Sequence, residues 1–309
     1  MNGQPPRIRH RRDWLRGVVA AALGAGVGRG ATTEDVIEQI RAKGRAARMQ
    51  PFEVSETAHF VGVGDALPRY RDDALKLCEA FAKDYFAHFE AKGFALAWPA
   101  ARLPVVILGG PTSYAAFEQA FPDEAIGGNY DLDANWLVTF DFRPLANAPR
   151  DPGAGDPRLD NTLTLVHETF HQLSYNTGML DRKLDVPRCV DEGLGTYAET
   201  WRPGGKGRIG ANNVRRHREL DEALHAGGRW IPVKQLLDAD KAFDDEKTEH
   251  MAYAISSLLV AKLVKDPMRL PQFRDYLKAV QAANDPARRV ALAEAHFGDL
   301  TKLDRDIRR

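Results

Sequence analysis

The stretch "TLVHETFHQLSYNTG", Thr164 to Gly178, constrains this chain more than any other. Two histidines flank a glutamate in it, as His167-Glu168-Thr169-Phe170-His171. Leu163, Val166, Phe170 and Leu173 recur at helical spacing, which predicts a helix with the histidines at the edge of its packing stripe. Residues four apart share a helix face, so His167 and His171 can close on one ion. Zinc held by two neutral imidazoles and one carboxylate keeps a fourth position for water. Glu168 projects about 100° round from His167, near enough to serve that water without ligating the metal. This division of labour suits metal-assisted hydrolysis, with the glutamate taking the proton. The bland alternative is an amphipathic helix carrying two imidazoles, because the bare motif also arises by chance in a chain with nine histidines. A third ligand decides between them.

Downstream, "RCVDEGLGTYAETW" predicts a second helix with Glu192 near its start, 21 residues after His171. That gap accommodates a helix, a loop and an antiparallel second helix, which would bring a first-turn carboxylate beside the pair. H-E-x-x-H followed after about twenty residues by a glutamate resembles the gluzincin pattern of thermolysin-like metallopeptidases. The Glu192-Gly193-Leu194-Gly195-x-Tyr197 version is similar to exported bacterial gluzincin-like proteins whose motif reads Glu-Gly-Leu-Ala-x-Tyr. Upstream, "LPVVILGGPTSYAAFEQAF" and "GGNYDLDANWLVTFD" resemble that group's strand, helix and Gly-x-Tyr hairpin. Further on, "GGRWIPVKQLL" and "AYAISSLLVAKLV" resemble its Pro-Leu turn and tyrosine-led helix.

The resemblance implies His167, His171 and Glu192 as ligands of one zinc ion per chain, with Glu168 as catalytic base. It also implies that the hairpin is an edge strand against which a substrate backbone lies. An oxyanion donor is needed opposite the metal; family analogy points to Tyr253, with His250 second and a core role as the alternative for Tyr253. Two departures stand out. Cys189-Val190-Asp191 replaces the tryptophan that usually precedes the second glutamate, and Thr196 stands where thermolysin carries a histidine-orienting aspartate. Orientation then passes elsewhere, to Asp191 or Glu199. Tyr197 is expected to pack behind the ligand helix. The run Arg215, Arg216, His217 and Arg218 reads as a solvated helix face, with a substrate carboxylate as the alternative. His225 and His296 read as surface or satisfied residues.

Organisation along the chain shifts once. Residues 32–145 mix elements: a helix in "TTEDVIEQIRAKGRAARM", a strand in "HFVGVG", a helix from about Tyr70 to Ala91, a buried strand in "LPVVILGG" and a short helix in "PTSYAAFEQAF". A hairpin follows, with Tyr130–Asp131 turning through Asp133 and Asn135 into a strand from Trp136 to Phe142. Residues 146–160, rich in Pro, Gly and Asp, read as a flexible connection. Residues 161–309 read as helical, at about 161–177, 190–201, 212–226, 232–239, 247–265, 269–283 and 285–297. The expected class is α+β: a small mixed-sheet subdomain, then a mainly helical zinc-binding subdomain, with the active-site cleft between them. With the resemblance, this is a zincin fold of gluzincin type.

Zero formal net charge gives no field favouring nucleic acid, and no run reaches the ~18 apolar residues of a membrane span. Residues 1–31 carry a basic start and a small-residue apolar run, the layout of an export signal. Arg11-Arg12-Asp13-Trp14-Leu15-Arg16 resembles the twin-arginine form, so a periplasmic or envelope location is expected. In that compartment Cys78 and Cys189 could pair, and buried thiols are equally compatible with the sequence. The expected activity is zinc-dependent hydrolysis of a peptide or amide bond. Alternatives are a non-catalytic envelope binding module, or a zinc hydrolase of cell-wall peptide cross-links.

Overall fold

The computed structural model describes residues 32–120, 127–143 and 157–308. The expected export signal at 1–31 and residues 146–156 of the expected connection lie outside the described residues; residues 157–160, read as part of that connection, instead form the first turn of a helix that runs to Asn176. Helix α1, Thr33–Ala46, begins at Thr32, whose hydroxyl and backbone exchange hydrogen bonds with Asp35 in a capping box. Five strands follow: β1 Glu53–Glu56, β2 Phe60–Gly64, β3 Leu103–Leu108, β4 Gly128–Asp131 and β5 Trp136–Phe140. They form one sheet in the order β1-β2-β3-β5-β4. The three central strands run parallel, and the two outer ones pair antiparallel with their neighbours.

Alternation along the central strands feeds two cores. Val61, Val63, Val106 and Leu108 face α1 and α3 (Pro111–Glu118), whereas Phe60, Val105 and Ile107 face α2 (Pro68–Glu90) and α4 (Pro157–Asn176). The strands expected in "HFVGVG" and "LPVVILGG", and the hairpin, are all present. Strand β1 was not expected. Its sequence, Glu-Val-Ser-Glu, has exposed ends and half-exposed middle residues, so it carries no apolar pattern and is defined by its pairing with β2 alone.

The remainder is helical: α5 Arg188–Ala198, α6 Val214–His225, α7 Val233–Asp238, α8 Glu249–Lys265, α9 Arg269–Ala283, α10 Arg289–Phe297 and α11 Leu300–Ile307. The terminal helix α11 was also missed, although Leu300, Leu303 and Ile307 form a short buried stripe. Helix α8 is buried nearly all round, from Met251 to Ser257 without a break, and packs on α5, α6 and α9. Gly193 permits the closest of these contacts. A Cβ there would lie 2.6 Å from both the Ser256 carbonyl oxygen and Val260 Cγ2.

Helix α4 joins the two halves. It packs on α2, on the β4–β5 hairpin and on α5, and Gln172 donates to the Pro104 carbonyl of β3 at 2.8 Å. Phe170 and Val166 sit in the larger core, which continues from Phe60 to Ile307. The fold is therefore α+β, with a five-stranded sheet and a mostly helical remainder. Among the described residues, no helix is long and apolar enough to cross a membrane. Both cysteines are buried free thiols, the second of the two states left open by the sequence. Burial pushes the Cys78 thiol up to about 12, while its Sγ lies 3.3 Å from Thr169 Oγ1.

Candidate metal centre

On α4, one helical turn separates His167 from His171, and both rings turn toward α5. Their Nε2 atoms stand 3.0 Å apart. Glu192, in the first turns of α5, brings Oε2 to 3.2 Å from His167 Nε2 and 3.5 Å from His171 Nε2. All three side chains are buried, and together they form a group that could hold a metal ion. Gly195 makes the approach possible: a Cβ at that position would lie 2.8 Å from Cε1 and 2.9 Å from Nε2 of His167. Thus the two glycines of Glu-Gly-Leu-Gly have separate tasks, one toward α8 and one toward the imidazole.

Each histidine is oriented from behind by its own carboxylate. His167 Nδ1 lies 3.1 Å from Glu199 Oε1, and His171 Nδ1 lies 2.9 Å from Asp191 Oδ1. The sequence had named Asp191 or Glu199 for this task; both perform it. A carboxylate only accepts, so each Nδ1 carries the proton and donates. With the imidazoles neutral, both Nε2 lone pairs would then point at one another and at a Glu192 oxygen. Such an arrangement is repulsive unless positive charge sits between the donors, which is the condition a cation satisfies.

Charge around the group agrees. Among the described residues, the buried carboxylates here are Glu168, Asp191, Glu192 and Glu199, and the buried guanidiniums are Arg188 and Arg216. Four buried carboxylates stand against two buried guanidiniums, an excess of acidic groups that suits a cation. The same demand shows in proton affinity. Burial works against an imidazolium, yet Glu192 and Glu199 outweigh it and raise His167, while Asp191 and Glu192 raise His171 well above the ordinary range. Burial would also lift Glu192, but the two imidazoles hold it well below the usual carboxylate range. On the far side of Glu192, Arg188 Nε stands 3.6 Å from Oε1, and its Nη1 donates to Asp244 Oδ1 at 2.6 Å.

Glu168 is 2% exposed and lies under the edge strand, where a Cβ on Gly128 would meet its Cγ at 3.5 Å. Tyr253, on α8, is buried with its ring 6.4 Å from that of His167, edge-on to Phe243. His250 is half-exposed at the start of α8, with Nε2 4.0 Å from Glu249. Tyr197 packs as expected and its hydroxyl meets His88 Nε2 at 3.2 Å. The basic run on α6 divides. Arg218 is solvated and faces Glu222, but Arg216 is buried and forks onto Glu199, contrary to the expectation of a uniformly solvated face. Its signal in the sequence was Leu220 four residues on, which marks the inward stripe of α6.

A family model described as a protein of unknown function (DUF1570) matches residues 161–286. That span begins in α4, four residues after its start, and takes in His167, His171, Glu192 and Tyr253. No curated protein matches the chain.

Proposed function

We propose that this chain is a zinc-dependent hydrolase of peptide or amide bonds, on a zincin scaffold of gluzincin type. The observation that carries the reading is the convergence of His167 Nε2, His171 Nε2 and Glu192 Oε2, with Glu168 on the same helix but outside the donor set. Ligands held tetrahedrally at about 2.0–2.1 Å stand roughly 3.3 Å apart, and the three donor atoms here are separated by 3.0, 3.2 and 3.5 Å. When bound, zinc supplies Lewis acidity, polarising a carbonyl and lowering the pKa of a neighbouring water.

The chain's own residues perform the rest. Glu168 accepts a proton from the water as its oxygen attacks the carbonyl carbon. The same proton goes to the leaving nitrogen as the C–N bond breaks. Strand β4, the last of the sheet among the described residues, offers an edge along α4 on which an extended peptide can lie. Metal analysis together with a broad peptide-library digest tests the reading. One zinc per chain and peptide cleavage that a chelator abolishes are expected; a metal-free protein inert on the library would reject it.

Tyr253 is assigned the oxyanion. A hydroxyl aimed at developing charge strengthens its bond only as that charge builds, so Tyr253→Phe should lower kcat with little change in KM. One such donor is worth roughly 2.7–4 kcal/mol, about a hundredfold or more in rate. A core tyrosine would instead show a lower Tm and nearly normal kcat. Normal turnover in a well-folded Tyr253→Phe protein would pass the role to His250 or another group.

The N-terminal layout supports export, with action outside the cytoplasm. Residues 1–35 fused to a reporter should direct it out of the cell, and changing Arg11 and Arg12 to Lys should stop it. Export that survives the change would indicate the general secretory route.

A further inference from the structure

Helix α6 lies on the surface, and of its 12 residues Arg216 and Leu220 are the buried ones. A surface helix ordinarily buries a leucine; an arginine must be compensated for the water it loses. The compensation here is specific. Arg216 Nε donates to Glu199 Oε2 at 3.0 Å, Nη2 to Glu199 Oε1 at 2.5 Å, and Nη1 to Glu219 Oε2 at 2.9 Å. Glu199 also accepts from Asn213 Nδ2 at 3.1 Å, and its Oε1 faces His167 Nδ1.

Glu199 stands at the C-cap position of α5, where the helix dipole disfavours a negative charge. A guanidinium fork offsets that and fixes the plane of the carboxylate. The carboxylate plane sets the direction of the Nδ1–H bond, and therefore where Nε2 points. The guanidinium also lies 5.2 Å over the Tyr253 ring, which flanks His167. One cation thus braces the acceptor behind a ligand and the aromatic ring beside it.

We infer that Arg216 is a positioning residue for the metal group, acting through Glu199 to hold His167 in its ligating tautomer and orientation. The inference rests on the metal reading above. A merely structural Arg216 would tie α6 to α5 and nothing more, and the two roles predict different measurements.

The mature full-length protein is stripped and reloaded with zinc, and its affinity is measured by competition with a chromophoric chelator. The Tm of the metal-free form and the visible spectrum of the cobalt-substituted form are recorded in parallel. Arg216→Gln is expected to lower zinc affinity about 10–100-fold and to shift the cobalt band. Arg216→Lys keeps the charge without the fork and should recover only part of that loss. Leu220→Ala, on the same face of α6, should lower Tm while keeping wild-type affinity and spectrum. Wild-type affinity and spectrum in Arg216→Gln would overturn the inference. So would the same result in Arg216→Lys, should the glutamine variant not fold, or a loss of affinity in Leu220→Ala that follows its loss of Tm. A wild-type protein that takes up no zinc would end the metal reading itself, and this inference with it.

Discussion

Glu168→Gln is expected to keep its zinc and to lose turnover by about 100-fold or more, the scale of a lost general base. Glutamine fills the same volume in a site that leaves Glu168 2% exposed, so the fold should not register the change. What disappears is the ability to accept a proton. On the proposed mechanism Glu168 serves the attacking water and not the bound peptide, so kcat and kcat/KM should fall together. The setting favours this assignment. Gly128 lets the edge strand lie close over α4: a Cβ there would come within 2.7 Å of Thr164 Cγ2 and of the Val138 carbonyl. Backbone without a side chain therefore lies over the glutamate, where a Cβ on Gly128 would stand 3.5 Å from its Cγ. Metal content and steady-state kinetics on one variant are sufficient. A Glu168→Gln protein that retains zinc and cleaves at the wild-type rate would sink the mechanism.

What the sequence made legible follows from period and spacing. His167 and His171 are four apart on a strongly patterned helix, and helical geometry alone puts their rings side by side. Glu192 was reachable because the intervening length suits two antiparallel helices. The orienting carboxylates were half legible. Asp191 and Glu199 were both candidates, but their assignment depends on the rotation of α5 about its axis, which no spacing supplies. Arg216 was hidden inside a basic run whose neighbours are solvated; only the stripe it shares with Leu220 distinguishes it. Gly195 was read only as part of a motif similar to Glu-Gly-Leu-Ala-x-Tyr; its meaning is a distance to an imidazole 28 residues earlier in the chain. Strand β1 was illegible for a different reason: its two outer residues are exposed glutamates, and pairing with β2 alone makes it a strand.

Ligands and their supports should respond differently to substitution, and the contrast between His171→Ala and Asp191→Asn measures it. His171 supplies one of three donors, so His171→Ala should purify without stoichiometric zinc and without activity. The variant should also be less stable when metal-free. Asp191, itself 9% exposed, would lose the imidazole N–H that it accepts at 2.9 Å, and a buried polar group deprived of such a partner costs about 1–3 kcal/mol. Asp191→Asn leaves all three donors in place. Its amide oxygen can still accept from Nδ1, but without the negative charge that strengthens the bond and raises the basicity of Nε2. Zinc should therefore remain bound, with affinity reduced about 10–100-fold and a catalytic defect that excess zinc partly repairs. Added metal should not rescue His171→Ala in the same range, because a two-donor site cannot close around the ion. If His171→Ala instead carries a full complement of zinc, His171 is not a ligand, and the three-donor group at the junction of α4 and α5 is not where the metal binds.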